Sequence, residues 1–197
     1  MKQKLAHAVR VVSIPPVMVS LLVLVLAAFA EGFYSSKPEL LAMLLFLAVI
    51  PLLAYPLSWA IPCVRRKGRE GQRNLAFALT AAGYVLGWFY GVFVSRNREQ
   101  ILVYTIYLVS LLLLLLWNKV FRLRASGHGC SVTGPVLLAG WYLGLPGIIV
   151  SALCYLLIFW ASVTTGRHKW DEFLGGSVLC IAACGISWLL CSYFAIF

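Results

Sequence analysis

Long charge-free runs alternate with short clusters of arginine, lysine and glycine along the whole chain. LVSLLLLLLWNKV is followed within a few residues by GPVLLAGWYLGL, and between them lies RASGHGCSVTG. The apolar stretches show neither strand alternation nor a polar helical face. Their length suits helices that cross a hydrocarbon core of about 30 Å at 1.5 Å per residue. Seven such stretches are expected, at about 11–30, 39–62, 74–95, 100–118, 129–144, 147–164 and 173–195. The chain is therefore read as an all-α integral membrane protein, a single domain over 1–197 built as a bundle of six to seven transmembrane helices. MKQKLAHAVR and the apolar run after it also have the outline of a signal peptide ending at Ala28-Phe29-Ala30. The length of the run and the early Pro15-Pro16 favour a retained first helix.

Composition supports this reading: 62% of residues are hydrophobic and only 11% charged, where soluble domains approach a quarter. With no segment left for a soluble domain, function belongs to the helices or the short loops. The net charge of +10 does not indicate nucleic acid, because the cations lie between spans. Thirteen of the sixteen fall on the N-terminus and the even loops, leaving Lys37, Arg96 and Arg98 for the other side. By the positive-inside rule, the N-terminus and loops two, four and six face the cytoplasm across the inner cell membrane. Arg65, Arg66 and Lys67 serve that purpose or touch lipid headgroups. Gly83, Gly87 and Gly91 recur at the spacing that permits close helix contact. Tryptophans such as Trp59, Trp117 and Trp170 suit the membrane interface.

Chemistry has few places to reside. The six cysteines show no paired spacing and read as small buried hydrophobes. Acidic residues number only six, too few for a multi-carboxylate Mg²⁺ site, and the three histidines have no zinc spacing. No metal or cofactor is expected. In RASGHGCSVTG, Ser126 is placed to cap a helix, and Gly127 leaves the first backbone N–H groups unobstructed. A helix start with a neighbouring arginine, Arg124, is a natural cradle for a phosphoryl group. A second polar cluster, TTGRHKWDEFLGG, places His168 four residues before Glu172. If the last helix starts near His168, both project from one face and the carboxylate holds the imidazole. Helix parity brings this cluster and His128 to the same side of the membrane.

RASGH followed by TTGRHKWDEFLGG resembles the second and third signatures of the type 2 phosphatidic acid phosphatase superfamily, the lipid phosphate phosphatases, written PSGH and SRx5HxxxD. The resemblance covers the chain from about Lys119 onward. It implies a lipid phosphate phosphatase-like core and metal-independent, two-step hydrolysis of a membrane lipid phosphate. His168 would be the nucleophile that forms a phosphohistidine, Glu172 would orient it, and His128 would protonate the leaving alkoxide. Arg73, Arg124, Ser126 and Gly127 would hold phosphate, with Arg69 behind them and Arg167 beside the nucleophile. The chain departs from the second and third signatures at positions that matter for the chemistry. Ala125 replaces the proline of PSGH, Glu172 the aspartate, and Ser162 the arginine six residues before the histidine. The first signature, Kx6RP, is matched in spacing by Arg66 and Arg73, with arginine for lysine and Asn74 for proline, or alternatively served by Lys119, Arg122 and Arg124. Two other readings remain open: a non-catalytic lipid-phosphate binder or transporter, and an intramembrane serine hydrolase using Ser126. Substrate tail and oligomeric state leave no trace in the sequence.

Overall fold

The computed structural model describes residues 2–166 and 169–193, and these residues contain helices and no strand. Seven helices follow one another: α1 (Lys2–Val12), α2 (Pro15–Phe29), α3 (Lys37–Ala60), α4 (Gly68–Ser95), α5 (Arg98–Val120), α6 (Gly127–Thr164) and α7 (Trp170–Tyr193). Among the described residues, five are long and apolar enough to cross a membrane, or six if α1 and α2 form one bent span. The protein is thus an all-helical membrane protein.

The first expected span is divided. α1 is a separate helix that meets α2 at 65°, where one stretch over 11–30 was expected. Pro15 has no N–H to continue the ladder, and its ring drives Ile14 into an extended conformation (φ −61°, ψ 149°). Lys2, Lys4 and the exposed Leu5, Val11 and Val12 make α1 basic and apolar in turn, a composition suited to lying along the membrane surface.

α6 contains 38 residues and folds back on itself at Gly144, whose φ of 63° and ψ of −146° only glycine adopts freely. The Ser151 hydroxyl reaches the Val136 carbonyl at 3.5 Å across fifteen residues, a contact that a straight helix would hold about 22 Å apart. The two legs, 127–143 and 145–164, are therefore antiparallel, as the expected spans 129–144 and 147–164 require. Gly147 lies so close to Ala139 that a side chain there would meet its carbonyl.

α5 is the central post, buried along most of its length. α4 approaches it along Gly83, Gly87 and Gly91. A Cβ at Gly83 would meet the Phe46 carbonyl, and one at Gly87 or Gly91 the Tyr104 ring, so this glycine seam seats α4 on α3 and α5. α4 begins at Gly68, earlier than the expected residue 74, which makes most of loop two helical.

The two ends of the bundle differ in chemistry. At one end, Glu39 Oε2 accepts hydrogen bonds from Gln100 Nε2 (2.6 Å), Asn97 Nδ2 (3.2 Å) and the Ser35 amide (2.9 Å). Asn97 and Gln100 also donate to the Phe33 carbonyl, and the Tyr142 hydroxyl donates to Glu99 at 2.6 Å. This network joins the starts of α3 and α5 to the tip of the α6 hairpin. The other end carries the candidate site.

Candidate functional site

Four chain segments meet at that end. The α1–α2 bend, the start of α4, the start of α6 and the start of α7 come together, so the N-terminus and loops two, four and six share one side of the bundle. This is the juxtaposition that helix parity calls for.

The RASGH segment is fixed at several points. Ser126 is 1% exposed and caps α6, its hydroxyl accepting from the Gly129 amide at 3.2 Å. The Ser126 amide donates to the Glu172 carbonyl at 2.8 Å, tying the start of α6 to the first turn of α7. Asn118 closes the loop from behind: its side chain donates to the Ala125 carbonyl (3.2 Å) and accepts from the Ala125 amide (3.0 Å). The glycines divide the work. A Cβ on Gly127 would meet nothing within 4 Å, so the position is open to a ligand. A Cβ on Gly129 would strike the Phe173 carbonyl, and one on Gly176 the Ser126 carbonyl, so these two permit α6 and α7 to touch. Sequence reasoning assigned the unobstructed cradle to Gly127 and missed the packing role of Gly129. The HGC context carried no signal that separated the two roles.

His128 stands beside this junction. Its Nε2 lies 3.3 Å from the Ser13 hydroxyl, and its ring stands edge-on to Phe173 at 6.3 Å between centroids. Phe173 is fully buried among Val132, Ile158, Tyr155 and Phe159 and forms a rigid floor. Ser13 is a site residue that sequence reasoning did not find. It sits at the proline-induced bend, 115 residues from His128, and only the folded chain brings the two together.

Glu172 occupies the third position of α7, which begins at Trp170 and not at 173. Its Oε2 accepts from the Lys169 amide at 3.3 Å, a reach back that supports the helix start, and its Oε1 lies 3.9 Å from Arg124 Nη1. The helical-face argument for Glu172 and His168 needed the helix to begin near His168; the described helix begins two residues later. His168 and Arg167 lie outside the described residues. Arg124 is 87% exposed and shares its charge with the Glu172 carboxylate, which is 16% exposed.

Arg69 and Arg73 lie in the first two turns of α4, both exposed, and Arg73 sits at the mouth of a central cavity together with Gly127. Arg69 does not line that cavity. The cavity has a volume of about 180 Å³, is almost wholly apolar, and is lined by residues of every helix from α2 to α7. Ser162, at the position of the signature's arginine, is 0% exposed, and its hydroxyl has no hydrogen-bond partner among the described residues. That position lies inside the packed α6 leg, where a guanidinium would have no solvent.

The six cysteines are free thiols; Cys130, Cys180 and Cys191 are buried, whereas Cys63 and Cys154 are exposed. Trp88 ties α4 to α5, its indole Nε1 donating to the Thr105 hydroxyl at 3.2 Å. Among the described residues, no three His, Cys, Asp or Glu side chains cluster in a way that would hold a metal ion.

Comparison of the chain with protein-family models, with curated proteins and with solved structures finds no match.

Proposed function

We propose that the protein is a metal-independent lipid phosphate phosphatase that hydrolyses a phosphomonoester or diphosphate of a membrane lipid through a phosphohistidine on His168. The observation that carries this reading is the junction of α6 and α7. A capped helix start with an open Gly127, His128 and the Glu172 carboxylate is brought to one end of the bundle, beside Arg73 and an apolar cavity. Phosphoryl transfer asks chiefly for positioning and for neutralisation of charge spread over the equatorial oxygens. The α6 N-terminus supplies the positive end of a helix dipole, with no side chain at Gly127 to crowd a ligand. Arg73 adds a guanidinium at the mouth.

In this reading His168 attacks phosphorus in line with the departing lipid oxygen. His128, held by Ser13 and floored by Phe173, gives its proton to that oxygen, and water then cleaves the phosphohistidine. Glu172 is the group that orients the nucleophile, and its tie to the Lys169 amide keeps its own direction fixed. The active end is cytoplasmic by the charge asymmetry of the loops.

Purified protein should release phosphate from a lipid phosphate in EDTA. His168→Ala should abolish release, and Glu172→Gln should slow turnover with substrate binding largely kept. Full activity in His168→Ala removes the nucleophile assignment. A second reading, a lipid-phosphate-binding or transport protein without turnover, is favoured by one observation: Ser162, buried and without a hydrogen-bond partner among the described residues, cannot replace an arginine on the phosphate. Under that reading the wild-type protein binds lipid phosphate and releases none. The serine hydrolase reading draws little support, because the Ser126 hydroxyl is engaged as a helix cap and the serine next to a histidine is Ser13.

A further inference from the structure

Asn118 lies in the π-helical turn Leu116–Val120 that ends α5. Turns of this kind are rare and occur mostly at functional sites. The Asn118 Nδ2 donates to the Leu114 carbonyl at 2.9 Å and to the Ala125 carbonyl at 3.2 Å, and its Oδ1 accepts from the Ala125 amide at 3.0 Å. Two donors meet carbonyls and the acceptor meets an N–H, so one orientation of the amide satisfies all three bonds. Both backbone groups of Ala125 are thereby held by one side chain, much as a neighbouring strand would hold them.

Between the two partners the chain makes an exposed excursion over Lys119 to Arg124. It turns back at Arg122, whose φ of 55° is left-handed, a conformation that the arginine Cβ disfavours. Such a residue persists where its surroundings over-determine it. Here those surroundings are the Asn118 clamp and the bond from the Leu123 amide to the Trp117 carbonyl, at 3.2 Å. Past the clamp the chain is engaged at every step. The Ala125 methyl packs against the cluster of Leu114, Cys130, Leu179 and Cys180, and the Ser126 amide is bonded to the Glu172 carbonyl. Movement of the exposed loop therefore stops at Ala125, one residue before the α6 cap. A proline at 125 would offer no N–H to Asn118, so the clamp goes with the alanine that this chain carries there.

We propose that Asn118 is a positioning residue of the α6–α7 site. It touches no ligand; acting through Ala125, it fixes the direction in which the chain enters α6 and so holds Gly127 and His128 where a phosphate would meet them. This rests on the lipid-phosphate reading above and adds to it a residue that no motif marks. A residue that only finished α5 would need the bond to Leu114 alone, and the two bonds to Ala125 reach beyond α5.

The test measures calorimetric binding of dioctanoyl phosphatidate to the purified full-length protein in EDTA, which reads affinity and competent fraction separately and does not depend on turnover. Asn118→Ser is the informative variant. Its hydroxyl can still bond the carbonyl four residues back, Leu114, but is too short for Ala125. It should weaken binding by about fivefold with the competent fraction unchanged, and Asn118→Leu should do the same. Hydrogen exchange of the ligand-free protein should quicken by about tenfold over 123–127 in Asn118→Ser and stay as in wild type over 101–111. In an Ala125→Pro background, which already lacks the N–H, Asn118→Ser should cost less than half as much affinity as it does in wild type. Wild-type affinity in Asn118→Ser, a lowered competent fraction with unchanged affinity, unchanged exchange over 123–127, or additive effects with Ala125→Pro each overturns the proposal. Failure of the wild type to bind phosphatidate removes the lipid-phosphate reading and this proposal with it, whereas binding that the variants match removes this proposal alone. Variant-sensitive binding without phosphate release removes the phosphatase and leaves the clamp standing.

Discussion

At the scale of single residues, the site depends on how His128 is held. Ser13 has two neighbours for its hydroxyl, the Arg10 carbonyl at 3.5 Å and His128 Nε2 at 3.3 Å. The contact with His128, made across the fold, holds the ring in place, so Ser13→Ala should slow phosphate release by about fivefold, the equivalent of about 1 kcal/mol, with the melting temperature near wild type. An unchanged rate would show that Ser13 does not position His128. Ser126, His128 and Glu172 were legible in the sequence because each sits in a short motif whose spacing carries its role. Ser13 was not, since a serine before two prolines acquires meaning only from a partner supplied by the fold.

At the scale of elements, the contact between α6 and α7 decides whether the site exists. Gly129 and Gly176 face backbone carbonyls of the opposite helix, and the Ser126 amide is bonded to the Glu172 carbonyl. Gly176→Ala should force the two helix starts apart, lowering stability by about 1–3 kcal/mol and activity with it. Gly127→Ala, where nothing stands within 4 Å, should leave the melting temperature near wild type. Thermal unfolding of the two variants in detergent checks the contrast. The helices themselves were largely legible from length and hydropathy, including the α6 hairpin signalled by Leu145-Pro146-Gly147. Their starts were misjudged where charged residues continue a helix beyond the apolar run, as at Gly68 to Asn74 and Trp170 to Glu172. Helix α1 was missed for the same reason: a stretch as basic as MKQKLAHAVR does not read as part of a span.

At the scale of the whole molecule, the gathering of the N-terminus and loops two, four and six at one end makes orientation testable with a native residue. Cys63 is exposed in the short helical turn Pro62–Arg66 that precedes α4. With the active end in the cytoplasm, an impermeant maleimide should label Cys63 in inside-out vesicles and not in intact cells. The reverse pattern overturns the cytoplasmic assignment. The two ends are also mechanically unequal. Glu39, Asn97 and Gln100 stitch one end through several hydrogen bonds, while Arg73 and Gly127 border a gap at the other. The bundle is built like a pair of tweezers joined at the carboxylate knot, so any spreading of its helices takes place at the tips and leaves the joint untouched.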